Sequence, residues 1–271
     1  MKSKAFPIFA YALTFFMVVL LIAPIIIAVS MSFTTSDSLR FPPKGFSLEW
    51  YRAVIQEPRW QDRLPVSLEV AAISALLATT ISTLSAFSLA RTNFKGKNLI
   101  SLLFIAPLIV PTVILGTGDF FVWAKGWEIG PFTFGGKLVG TVLGLILAHT
   151  IIALPFPFIT VRAGLTNVDP TLELAAKNLG ASPLTVFRTI TLPLIMPGVL
   201  SGMIFAFIAS WDEVVIASFL STSRVSTVPV QIFSQLREAL DPSAAAISSL
   251  LLIASIVLFA LLTLTRKKPV K

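Results

Sequence analysis

Apolar residues run through this chain in long unbroken blocks, without the two-residue alternation of a half-buried strand. Six of the blocks are long: about 8–33, 64–90, 99–121, 138–161, 194–220 and 244–265. At about 1.5 Å rise per residue, some 20 residues cross the roughly 30 Å hydrocarbon core of a bilayer, so each block predicts a transmembrane helix. The first far exceeds the about 7–15 apolar residues of a secretory signal, which predicts an uncleaved span. The second is rich in Ala, Ser and Thr, which predicts close helix packing. Pro107 and Pro111 break the third, which is expected to end in a loose segment from Gly116 to Asp119.

The segments between the blocks are polar. In 34–63, Ser47 is placed to cap a helix, with Trp50 and Tyr51 expected at the membrane interface. Residues 91–97 form a short basic turn, and Trp123, Trp127 and 131–136 predict an aromatic external loop. The expected fold is an all-α polytopic membrane protein, with 1–271 as a single transmembrane domain of six helices.

One interruption, 162–193, carries sharp helix signals. Asp169 is a good N-cap, Pro170 suits the first helical position, and Glu173 lies where the helix dipole favours an anion. Leu172, Ala175, Ala176 and Leu179 recur at i, i+3, i+4 and i+7, giving an apolar face that is low around its alanines and open to close approach. Gly180 can take the left-handed conformation that ends this helix, and Ser182-Pro183 start another.

Composition agrees with the pattern. The chain is 55% hydrophobic and 13% charged, against about 25% charged in soluble domains. Its net charge of +8 points to no nucleic acid, because the basic residues gather at the ends of the apolar blocks. Placing both termini inside puts twelve basic residues against two acids, Asp169 and Glu173, in the cytoplasm, which predicts that orientation. The absence of cysteine and the single histidine, His149, exclude thiolate or multi-histidine metal sites and any thiol nucleophile. No Gly-x-x-x-x-Gly-Lys-Ser/Thr string occurs, so no phosphate-cradling loop and no catalytic residues are predicted.

Leu174-Ala-Ala-Lys-Asn-Leu-Gly-Ala-Ser182, followed by Ile190-Thr-Leu-Pro193 and Pro197-Gly198, resembles the "EAA" loop of the membrane subunits of binding-protein-dependent ABC importers. The family's usual glutamate before the two alanines is Leu174 here, with Glu173 one position earlier. The segment Phe46–Val54 is similar to the external stretch after the family's first span. The resemblance implies a type I importer fold with 162–193 as its coupling loop, in which Glu173, Leu174, Ala175, Ala176, Leu179, Gly180 and Ala181 dock on an ATPase. It also implies an ATPase dimer that carries the ATP and Mg, a second homologous permease, a periplasmic binding protein, and a place in the bacterial inner membrane. No cofactor is expected on this chain itself.

A second polar string lies inside the fifth block: Ser210-Trp-Asp-Glu-Val-Val215. A carboxylate at membrane depth costs about 2.5–3.5 kcal/mol, so Asp212 and Glu213 are expected to face a wet cavity or a partner. Successive helical residues differ by about 100°, so the two cannot share one direction; one can line a path while the other pairs or caps a broken helix. The string resembles the spermidine/putrescine branch of these importers, which implies that Trp211, Asp212 and Glu213, with Glu69 at an external span end, line a path for an ammonium-bearing solute. Opine, thiamine, iron and phosphonate importers share much of the loop signature. A stand-alone cation transporter or channel is the rival from another class, but it predicts an inverted repeat that the two halves lack. A membrane scaffold protein leaves the carboxylates and the shaped loop without a purpose.

Overall fold

The computed structural model describes residues 5–238 and 241–264, and among these helix dominates. Four helical stretches, Phe9–Met31, Pro58–Arg91, Val142–Thr166 and Pro183–Trp211, are long and apolar enough to cross a membrane. The bent pair Lys97–Leu108 and Thr112–Lys125 can supply a fifth crossing, and Pro242–Leu264 is a further apolar helix. Lys2, Lys4, Arg266, Lys267, Lys268 and Lys271, which carry half of the predicted cytoplasmic charge, lie outside the described residues. The chain packs as two compact units, Met1–Gln61 with Ile232–Lys271, and Asp62–Gln231.

In the first unit, α1 (Ala5–Met31) and α2 (Glu49–Gln56) both pack on α13 (Pro242–Leu264). The N-cap of α2 is Leu48, one residue after the expected Ser47, and Ser47 supports the helix start from outside it, its Oγ accepting from the Glu49 N–H at 3.0 Å. The polar tips of Trp50 and Tyr51 are held inside the protein. Trp50 donates its indole N–H to the Thr34 carbonyl at 3.0 Å, and the Tyr51 hydroxyl lies 2.6 Å from Ser32 Oγ and 2.8 Å from Ser249 Oγ. Once half-buried, their polar tips need partners inside the protein.

The second unit is built around α3 (Pro58–Arg91), which starts six residues before the predicted block because Pro58 suits a first helical turn. Its buried face is a run of small residues, among them Ala71, Ala75, Ala78, Ser82 and Ala86. Ser74 and Ser82 donate across to the carbonyls of Ile146 at 3.0 Å and Leu154 at 2.8 Å. Small side chains let backbones approach, and hydroxyls then bridge them.

The third block departs from a simple span. α4 (Lys97–Ile105) passes through a tight turn at Ala106–Leu108, and α5 (Thr112–Lys125) leaves at 103°. Pro107 and Pro111 do break the chain here, as their missing N–H groups dictate. The segment from Gly116 to Asp119, however, is regular helix inside α5. Trp123 belongs to α5 too, packed against the cluster around Leu145 and Ile146 instead of standing in an aromatic loop. The loop itself contains β1 (Trp127–Ile129) and β2 (Phe132–Phe134), a short antiparallel hairpin and the one sheet among the described residues.

α6 (Val142–Ala153) and α7 (Pro155–Thr166) follow, then α8 (Pro170–Asn178), α9 (Pro183–Val186), a wide π-type turn at Phe187–Thr191, and α10 (Leu192–Trp211). α10 lies along α7 so closely that a Cβ on Gly202 would stand 2.4 Å from the Pro157 Cα. Only glycine permits that approach. The fifth block is not one helix to 220: α10 stops at Trp211 and a separate α11 (Val215–Leu220) begins after a three-residue break. α12 (Val228–Glu238) leads out of this unit.

Candidate functional site

The 162–193 loop has the predicted architecture. Asp169 Oδ1 accepts from the Thr171 N–H at 2.9 Å, which starts α8 and holds the Asp169 carboxyl below its ordinary value. At the other end Gly180 takes φ +85°. The Gly180 N–H returns to the Lys177 carbonyl at 2.9 Å and the Ala181 N–H to the Ala176 carbonyl at 3.0 Å, the paired bonds of a Schellman stop. Ser182 then caps α9, accepting from the Thr185 N–H at 3.2 Å.

The side chains of α8 divide sharply. Leu172, Leu174, Ala175 and Leu179 are exposed, Leu179 to 89%, and Ala176 is half-buried. Leu172, Ala175 and Leu179 share one face, which nothing among the described residues covers, while Leu174 is exposed on the far side of the helix. Glu173 does the opposite, at 3% exposure. Arg91, at the end of α3, donates from Nε to both carboxylate oxygens (3.1 and 3.0 Å) and from Nη2 to Oε1 at 2.9 Å. Thr191 Oγ1 donates to the same Oε1 at 2.9 Å. Glu173 is therefore not on the open face with Leu172, Ala175 and Leu179. It lies about 100° round the helix from Leu172, off the stripe that holds Leu172 and Leu179, and its bonds to Arg91 and Thr191 tie α8 to the end of α3 and the start of α10. Burial alone raises its carboxyl, but the hydrogen bonds from Arg91 and Thr191 and the charges of Arg91 and Lys177 bring the net shift below the ordinary value.

At the break in the fifth block the two adjacent carboxylates part. Glu213 is buried, and its Oε1 accepts from the Ile216 N–H at 2.9 Å while Oε2 accepts from the Ala217 N–H at 2.8 Å. It is the cap of α11, because the first N–H groups of a new helix lack acceptors and an apolar surrounding cannot supply them. His149, fully buried, has Nδ1 2.8 Å from Ser210 Oγ and Nε2 3.9 Å from Glu213 Oε2. Asp212 is exposed at the end of α10, beside a half-buried Trp211 stacked on Phe207 with ring centroids 5.7 Å apart. Glu69 does not join the buried cap. Its neighbour Val70 packs with Ile216 and Ala217, whereas Glu69 turns out of the bundle and is exposed. Asp119 on α5 is half-buried, and its Oδ2 has no hydrogen-bond partner among the described residues.

A family model for the binding-protein-dependent transport system inner membrane component matches residues 78–269, a range holding both the shaped loop and the broken span. The chain belongs to this family. The permease is 34% identical to the putrescine transport system permease protein PotI of Escherichia coli (strain K12), over 86% of this chain and 81% of that protein. It is 32% identical to the spermidine/putrescine transport system permease protein PotC of Haemophilus influenzae, over 90% of this chain and 91% of that protein. Its fold matches a bacterial ABC transporter involved in the import of the acidic polysaccharide alginate, with a TM-score of 0.74 over 98% of this chain and 99% of that one. At 14% identity that match concerns the fold alone. The permease is thus a non-catalytic, multi-pass membrane subunit of an ABC importer.

The Arg91–Glu173–Thr191 clamp is the part of the site that sequence patterns missed. Arg91 reads only as one basic residue of a cytoplasmic turn, and Thr191 as one polar residue among many. The one available signal was Glu173 itself, an acid set off the apolar stripe of α8.

Proposed function

We propose that the permease forms half of the translocation path of an ATP-driven importer for polyamines, and that the open face of α8 docks on a separate ATPase subunit. The observation that carries the docking is the exposure of Leu172 and Leu179 along one face, with Leu174 exposed as well, on a helix capped at both ends and clamped through Glu173. A rigid apolar knob held on a polar loop suits a cleft on a moving partner, so that closure of the partner displaces α8 as a body. An ATPase dimer carrying ATP and Mg, a second homologous permease and a periplasmic binding protein complete the assembly. It sits in the bacterial inner membrane with both termini cytoplasmic.

The polyamine substrate rests on two supports. Relatives covering most of the chain are named for putrescine and spermidine. Asp212 and Trp211 also stand together at the break, offering a carboxylate and an indole face to an ammonium group. Glu213 supports the path by holding α11 in place, and Glu69 contributes an exposed charge away from that buried cap.

The test is uptake of labelled putrescine and spermidine by the complete transporter in proteoliposomes, with its binding protein and ATP. Asp212→Asn is expected to lower uptake about tenfold or more, the size of one lost charge-assisted hydrogen bond, with normal assembly. Wild-type transport of thiamine or a phosphonate without polyamine would overturn the substrate, and an α8 face that can be made charged without loss of ATPase binding would overturn the docking.

A further inference from the structure

The turn between α3 and α4 carries a cavity that the transport path and the clamp do not use. It measures about 220 Å³ and is lined by Arg91, Lys97 and Arg162 with Leu89, Leu165 and Thr166, and no carboxylate lines it. Among the described residues neither Lys97 nor Arg162 has an ion-pair partner. Lys97 reaches only the Asn93 side-chain oxygen at 3.4 Å, and the Arg162 guanidinium lies 5.5 Å over the Phe158 ring. Arg91 spends its Nε–H and one Nη2–H on Glu173, which leaves the other edge of its guanidinium with unused donors.

Two unpaired cations and the spare edge of a third around one cavity form a seat for an oxyanion, since a guanidinium presents parallel donors to a phosphate and a lysine adds a point charge. The surroundings identify the kind of anion. α4 begins at Lys97 and exposes Leu99, Leu102 and Leu103 over its next two turns, Leu99 and Leu103 to 61%. A free phosphate has no use for that surface, whereas a phospholipid has a charged head and two apolar tails. We propose that this cavity seats the phosphate of an anionic membrane phospholipid, with Lys97 and Arg162 as its cationic contacts and the leucines of α4 along its acyl chains. Basic pockets at the ends of transmembrane helices suit such head groups. Because Arg91 serves both the cavity and Glu173, a bound head group shares the guanidinium that anchors α8, and anionic lipid thereby tunes how firmly the coupling helix is held. The site depends neither on the identity of the transported solute nor on which face of the membrane this end occupies.

The experiment reconstitutes the complete transporter in nanodiscs of phosphatidylcholine with a rising fraction of phosphatidylglycerol. Native mass spectrometry counts the lipids that stay bound, and trypsin reports opening of the 162–193 loop. Wild type is expected to retain phosphatidylglycerol selectively and to show loop cleavage that depends on its fraction. Lys97→Gln should lower that selectivity about fivefold, and Lys97→Gln with Arg162→Gln about 30-fold, at roughly 1 kcal/mol per cation near a membrane surface. Arg162→Lys, which keeps the charge, should retain most of it, and this graded series reads the site even if the double variant assembles poorly. Unchanged phosphatidylglycerol retention in Lys97→Gln and Arg162→Gln singly would overturn the proposal. So would full displacement of the lipid by millimolar inorganic phosphate, which marks a free-anion site. Loss of the ATPase subunit from the variants with lipid retention intact would overturn it as well, because the cations would then serve a protein partner.

Discussion

Replacing Glu173 by Gln should loosen the coupling loop while leaving the membrane helices folded. The change keeps the shape of the side chain but removes the charge that receives three hydrogen bonds from Arg91 and Thr191 at 2.9–3.0 Å, together with a longer one at 3.1 Å. Removing one partner of a buried ion pair costs about 3–5 kcal/mol, and the lower end applies because the Arg91 side chain keeps 22% exposure and recovers some hydration. About 3 kcal/mol corresponds to a roughly 150-fold rise in the fraction of molecules with α8 detached. Lys177 and Arg188 lie within the loop, so trypsin cleavage there tracks that fraction when reclosing is faster than cutting. Thr191→Ala should raise cleavage only about fivefold, for one lost hydrogen bond of about 1 kcal/mol. The double variant should fall short of the product, since both act on one carboxylate. In the assembled transporter, Glu173→Gln should hydrolyse more ATP per solute moved, because a loose α8 transmits less of the partner's motion. A cleavage rate within twofold of wild type would show that Glu173 does not anchor the loop.

The downward shift of the Glu173 carboxyl carries a sign that can be checked. Its folded value lies below the ordinary 4.5, so its anchoring is complete above 4.5 and lost only as pH falls through the lower folded value. Hydrogen exchange of α8, corrected for the intrinsic rate, should therefore stay flat from pH 8 to 5 and rise in more acidic solution. Gly180→Val places a β-branched residue at φ +85° and should cost about 1–2 kcal/mol, although a Cβ there meets no atom within 4 Å. Weakened co-purification of the ATPase at normal membrane level checks it, and unchanged binding with unchanged uptake would contradict the docking role of the loop. Glu213→Gln leaves either the Ile216 or the Ala217 N–H facing an amide donor, a loss of about 1–3 kcal/mol. It should lower the melting temperature of the detergent-purified subunit, where Asp212→Asn should not, and equal stability of the two would refute the cap.

The hydrophobic pattern by itself determined that this is a polytopic helical membrane protein, because the bilayer sets the length of an apolar run and leaves its backbone few alternatives to helix. It also determined the ends of α8, since Asp169-Pro170, Gly180 and Ser182-Pro183 act through bonds to residues at most five positions away. Those signals are local, and local physics suffices to read them. The tertiary structure decided where the carboxylates go. The 100° between Asp212 and Glu213 requires that they differ in direction, yet which one turns inward depends on the N–H groups of α11, and those are orphaned only because the helix breaks at Trp211. A break of that kind has no proline to announce it, unlike the one at Pro107 and Pro111. The position of Glu173 off the apolar stripe is legible in α8, but its partners are not, because Arg91 and Thr191 stand 82 and 18 residues away and meet it only when α3 and α10 converge on the loop.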